Sequence, residues 1–308
     1  MKRLYTVILM ALLLPVPATL RAQGADALPF TAVERDPVNV SLAGAGLARA
    51  EGSAYKAFSG AAMLPFMEGT LDAALSWQLR SPASARTNNI HAGVTYRVSE
   101  KLVVSAGYVQ GFGKAFPGMG ELGQPAGTVK PASGIVALGA GMALGENLGL
   151  GVNLRYATEK DVDARTGFSA DVSAAWRPLE ALTLSAAVST LGTAVVSEDG
   201  TRYAQPASAR LGADWAYAPA QDNALDLMAG AEVYFSGQWG AALGFQYGWK
   251  QQVFVRGGYR LASEWCVVPS HLALGAGYRF GSLRLDVSWL TASKALGNTL
   301  SAGIAYNF

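Results

Sequence analysis

From about residue 69 to the C-terminus, apolar and polar positions alternate with a period of two. The last nine residues show this most plainly. Leu300, Ala302, Ile304, Tyr306 and Phe308 are apolar, and Ser301, Gly303, Ala305 and Asn307 between them are small or polar. A period of two is a strand with two unlike faces. Upstream, Phe168, Ala170, Val172, Ala174 and Trp176 alternate with Ser169, Asp171, Ser173 and Arg177. Trp239, Leu243, Phe245, Tyr247 and Trp249 share one side of another such stretch. Followed through, the pattern predicts about fourteen strands of about ten residues, the length a tilted strand needs to cross a bilayer.

The spaces between strands carry a second pattern. Short turns fall at residues 99–100, 145–146, 178–181, 250–251 and 281–282, with 218–223 of similar kind. Longer connections at 111–131, 157–166, 192–205, 262–270 and 291–299 alternate with them, and only 236–238 is short out of turn. Transmembrane barrels alternate short periplasmic turns and long outer loops in this way. Trp77, Tyr96, Tyr108, Tyr156, Trp176, Trp215, Phe235, Tyr247, Tyr259, Tyr278, Trp289 and Tyr306 each sit near the C-terminal end of a strand, on its apolar side. Because successive strands run in opposite directions, these rings are expected in two girdles at the membrane surfaces. A soluble β-sandwich would gather them into one core.

Composition supports the same reading. Charged residues make up 15% of the chain and hydrophobic ones 51%, yet no unbroken apolar run is long enough for a transmembrane helix. A closed barrel is the other structure that satisfies its backbone in lipid. Residues 1–22 read as a signal peptide, with Lys2 and Arg3 before an apolar run and small residues before Gln23. Its removal takes the formal charge from +2 to about −1, so no basic surface points to nucleic acid. Residues 23–68 are Ala- and Gly-rich with short helical character. They are expected to form a plug-like or periplasmic segment ahead of a barrel over residues 69–308. The predicted class is therefore all-β, a transmembrane antiparallel barrel of about fourteen strands in the bacterial outer membrane. Both mature ends are expected on the periplasmic side, with lipid as the surrounding partner.

Candidate chemistry is confined to the polar faces. Arg155, Asp171, Arg210, Asp214, Glu232, Arg256, Arg284 and Asp286 would cost several kcal/mol each facing lipid, so they are expected in the lumen. There they either line a passage or ligand site, or pair with one another and fill the interior. The single cysteine, Cys266, excludes an internal disulfide. His91 and His271 have no metal-ligand spacing, no nucleophile elbow occurs, and neither a cofactor nor an enzymatic activity is expected. Gly139, Gly141, Gly149 and Gly151 look superficially like nucleotide-loop glycines, but they fall within strands and read as small-residue positions.

Asp36 and Pro37, the stretch Ser41, Leu42, Ala43, Gly44, Ala45, Gly46, Leu47, Ala48, and then Ser53, Ala54, Tyr55, Lys56, Ala57, Phe58 resemble the opening of the PorV/PorQ family. These are outer-membrane proteins related to the FadL-type fatty-acid transporters. Ser59, Gly60 and Ala61 stand where that family has Asn-Pro-Ala. The resemblance implies a fourteen-stranded barrel with Gly44, Gly46, Tyr55 and Phe58 in its plug. It also implies a role in type IX secretion, with cargo proteins or secretion-system subunits as partners. The FadL-like alternative implies passage of hydrophobic small molecules through a plugged barrel, with an apolar tunnel and a lateral opening in the wall. A third possibility is a structural barrel with no passage.

Overall fold

A computed structural model describes residues 26–308 except 82–85, 120–123, 162, 198–199, 221 and 292–296. The leader expected over residues 1–22 lies outside the described residues. Fourteen strands form one closed antiparallel barrel. In chain order they are β1 (Leu71–Ser81), β2 (Thr87–Arg97), β3 (Leu102–Gly113), β4 (Ala132–Ala143), β5 (Leu148–Lys160), β6 (Ala164–Leu179) and β7 (Leu182–Gly192). They continue as β8 (Ser208–Ala220), β9 (Asn223–Tyr234), β10 (Trp239–Trp249), β11 (Val253–Ala262), β12 (His271–Phe280), β13 (Leu283–Leu290) and β14 (Asn298–Asn307). Each strand pairs with its neighbours in sequence, and β1 closes the ring on β14, from Asp72 opposite Asn307 to Ser81 opposite Asn298.

The two faces have exchanged the usual roles of inside and outside. Leu154, Phe168 and Leu243 are 61%, 62% and 68% exposed in mid-strand, while Asn153, Asp171 and Arg256 are buried. A wall with its large apolar side chains turned outward all round is built for lipid. The expected girdle residues Trp77, Tyr96, Tyr108, Tyr156, Trp176, Trp215, Tyr247, Tyr259, Tyr278, Trp289 and Tyr306 are all on this outer face. Phe235 is not. Strand β9 stops at Tyr234, Gly237 turns the chain at φ +98°, and Phe235 is left half-buried beyond the ladder.

Three connections differ from expectation. Residues 157–166 do not form a loop, because β5 and β6 continue through them to Lys160 opposite Ala164. Arg165 lies within 4.0 Å of Glu159, Asp161 and Asp163 there. Outside the bilayer both faces of a hairpin can be polar, so its pattern reads as loop. The connections after β3 and β7 each carry a small hairpin, Phe116–Met119 with Pro125–Val129 and Val195–Val196 with Arg202–Tyr203.

Residues 26–69 fill the lumen. They contain one short α-helix, α1 (Pro37–Ser41), and 3-10 turns at Pro29–Ala32, Gly46–Ala48, Ser53–Tyr55 and Ala61–Phe66. Asp-Pro starts α1 as sequence chemistry dictates: the Asp36 carboxylate accepts from the Val38 N–H at 3.0 Å, and Pro37 needs no N–H at the first helical position. Ala43 and Gly44, at φ +54° and +83°, then stop it in the left-handed region. Asp36→Ala is expected to lower stability by about 1 kcal/mol and Asp36→Asn by much less, read as urea midpoints of the detergent-solubilised barrel.

The described chain enters and leaves the lumen at opposite rims. The Ala27 N–H donates to Ala204 O in the long β7–β8 connection, whereas Phe308 pairs with Thr70 and Leu71 at the short-turn rim. The mature end expected at Gln23 lies outside the described residues.

Candidate lumen site

The plug is held by two devices, and both come from the inward face of the strands. The first is the absence of side chains. A Cβ on Gly93 would overlap Ala54 O, one on Gly141 would overlap Ala61 O, and ones on Gly149 and Gly151 would overlap the backbone of Ala61 and Ala62. On the other side of the barrel Gly258 backs Leu42 and Gly275 backs Ser41. The nucleotide-like glycines of the sequence are thus the places where the plug's backbone touches the wall.

The second device is polar. A plug with little regular structure leaves backbone groups that need partners. Asn153 Nδ2 donates to Lys56 O at 2.7 Å and to Ala57 O at 2.9 Å. Ser173 Oγ accepts from the Ala62 N–H at 3.0 Å. Thr95 Oγ1 donates to Ser53 O at 2.9 Å, and Ser53 Oγ donates to Asp72. At the short-turn rim the Arg97 guanidinium donates to Met67 O at 2.7 Å, and Arg177 lies 4.1 Å over the Phe66 ring.

The eight lumen residues picked from the sequence fall into separate groups, joined by residues it did not single out. Arg155 pairs with Asp171, and Arg155 also donates to Thr190 Oγ1 at 2.9 Å. Thr190 sits at φ +58° in a bulge where β7 carries extra residues against β6, and its N–H donates to Asp171 at 2.7 Å. A β-branched residue in that region is strained, and these contacts hold it there. Arg210 meets Glu232 at 3.7 Å and the plug's Glu34 at 3.0 Å, while Arg260 meets Glu232 at 2.8 Å. Arg256 meets Asp286 at 2.7 Å, and Arg284 bridges Asp286 at 2.7 Å to the plug's Glu51 at 2.8 Å. Asp214 lies 4.0 Å from the plug's Arg49, which also pairs with Glu51 and with Asp226 at 3.3 Å. The missed members on the plug were Glu34, Arg49 and Glu51. Their signal was available: charges set in an Ala- and Gly-rich segment bound for a closed interior must find counter-charges.

The plug candidates each have a place. Gly44 is in the left-handed turn after α1, and the Gly46 N–H donates to Asn39 Oδ1 at 2.8 Å. Tyr55 is buried, and Phe58 is wedged between Gly107 of the wall and the Arg35 guanidinium, 5.1 Å from its ring centre. Among the described residues no cluster of His, Cys, Asp and Glu could hold a metal ion.

Close under the long-connection rim a cavity of about 40 Å³ separates plug from wall. Val33, Val40, Val268 and Leu290 form its apolar side, and Arg80, Arg210, Glu232 and Arg260 its polar side. The whole is a plugged fourteen-strand barrel with a small, mixed cavity beneath its long-connection mouth.

No protein-family model and no curated protein matches the sequence. Solved structures share the fold. The CymD monoaromatic hydrocarbon channel superposes with a TM-score of 0.63 at 13% identity, over 88% of this chain and 97% of that one. The toluene transporter TodX of Pseudomonas putida gives 0.61 at 13%, over 88% and 98%. A Pseudomonas aeruginosa FadL homologue gives 0.51 at 12%, over 88% and 98%. The closed fourteen-strand barrel expected from the sequence is the fold observed, and these structures share it.

Proposed function

We propose that this chain is a bacterial outer-membrane barrel that admits small hydrophobic molecules past its N-terminal plug, with the long connections outside and the short turns facing the periplasm. The observation that carries this reading is the seat of the plug. Residues 26–69 occupy the lumen from rim to rim, held by side chains that could release it, with a part-apolar cavity on the outer side. The hydrocarbon and toluene channels that share the fold support the same direction.

The test is uptake of a small fluorescent apolar probe by cells with an intact outer membrane, with and without the chain. Faster uptake with the chain is expected; equal rates would sink the reading. The lateral opening expected from the FadL-like alternative is absent among the described residues, since every neighbouring pair of strands is hydrogen-bonded. If the route is lateral, the β6–β7 bulge is where the wall would part. Ala170 and Leu191 face each other across that seam, at a separation suited to a disulfide. In a Cys266→Ser background, oxidising an Ala170→Cys, Leu191→Cys pair is expected to slow uptake, and reduction to restore it.

A second reading, the type IX secretion role implied by the family resemblance, draws on one feature. The Phe116–Met119 hairpin presents exposed Phe116 and Met119 apart from the barrel sheet, where another protein could dock. Co-purification with cargo or translocon subunits, lost on deleting that hairpin, is its test.

A further inference from the structure

The cavity under the outer mouth has an unbalanced charge. Its two acids are already engaged: Glu34 with Arg210 at 3.0 Å, and Glu232 with Arg260 at 2.8 Å and Arg210 at 3.7 Å. Arg80, inward-facing near the outer end of β1, lines the same cavity. Among the described residues its guanidinium has neither an ion-pair nor a hydrogen-bond partner, although every other arginine lining this cavity has one. A half-buried guanidinium that faces a small cavity and has no counter-charge is a ready partner for an anion that displaces its water.

The rest of the cavity defines that anion. Arg presents a planar fork of N–H donors that matches a carboxylate with two parallel hydrogen bonds. Val33, Val40, Val268 and Leu290 close the other side with apolar surface. The free space, about 40 Å³, holds roughly three waters, enough for a carboxylate head and the first atoms of its body. Val268 belongs to the β11–β12 connection, so the apolar body points toward the mouth.

Building on the proposed passage of hydrophobic molecules, we propose that this cavity selects small amphipathic carboxylates: the carboxylate on Arg80 and a compact ring or short chain against the valines and Leu290. An uncharged hydrocarbon offers Arg80 nothing. A long acyl chain would leave most of its length beyond the mouth, whereas a compact ring keeps its apolar face on the valines and Leu290.

Titration of the purified full-length barrel in detergent with benzoate, toluene and hexadecanoate tests this. Benzoate is expected to bind wild type, and Arg80→Gln to weaken it by about tenfold or more, the loss of a charge-assisted pair. Arg80→Lys keeps the charge without the fork and is expected to recover part of the affinity. Toluene binding is expected to be indifferent to both substitutions. The proposal falls if wild type does not bind benzoate, if Arg80→Gln binds it equally well, or if hexadecanoate binds tighter than benzoate through Arg80. Folding of each variant is checked by the heat-dependent gel shift of closed barrels, and the Lys variant controls for local collapse. Benzoate binding through Arg80 without probe uptake by cells would sink the passage and leave this site standing. Uptake without benzoate binding would do the reverse.

Discussion

Gly151→Val is expected to leave the plug without a seat. A Cβ at this position falls on the backbone of Ala61 and Ala62. Backbone cannot move aside by changing rotamer, so either the 3-10 turn at Ala61–Phe66 shifts or β5 does. Overpacking of this kind costs up to about 3 kcal/mol, and more where the obstruction is rigid. Two measurements check it: the urea midpoint of the folded barrel, and protection of residues 26–69 from protease added to the detergent-solubilised protein. Both are expected to drop. Ala241→Val is the comparison, since Ala241 is exposed on the outer face of β10, and its midpoint is expected to stay within about 0.5 kcal/mol of wild type. An unchanged midpoint for Gly151→Val would mean that the lumen glycines are not there for the plug.

Asp286→Ala is expected to cost still more, about 3–5 kcal/mol, because it strands two buried cations at once. Arg256, 1% exposed, would keep only its Nε bond to Gln246 at 2.5 Å. Arg284 would keep Glu51 at 2.8 Å. The penalty belongs to the unpaired charge rather than to the pair itself, and this gives a second arm. Replacing both partners, as Arg256→Met with Asp286→Leu, is expected to recover most of the loss. If the double variant is as unstable as the single one, the pair is indispensable for another reason, such as orienting Arg284 toward the plug.

The wall was legible in the sequence because a barrel strand meets two solvents. Once Phe168 or Tyr259 is recognised as facing lipid, period two sends Asp171 and Arg256 inward with no further information. The pairing of those inward residues was not legible. Asp171 reaches Arg155 rather than a more distant arginine because β5 and β6 are in a register that sets Arg155 opposite Ser169, one inward step away. Register is a property of two strands, and neither sequence alone contains it. The plug was legible in its composition but not in its path. Ala- and Gly-rich turns have no period, and the route was fixed by where the wall left room, at Gly151, Gly258 and Gly275. The cavity at Arg80 depends on both, which is why no pattern pointed to it.

The course of residues 26–69 from one rim to the other also dictates how such a molecule can be made. Glu51 and Arg284 touch although 233 positions of chain separate them. Ties that remote close slowly, because the intervening polypeptide must be gathered first. The plug's backbone is seated tightly on opposite sides of the wall, at Gly151 and at Gly258, so enclosing residues 26–69 is easiest while β1 and β14 still stand apart. Until then both of those strands present unpaired edges, which invite aggregation. Assembly is therefore a wrapping process, in which residues 26–69 wait for β14 before either is secure.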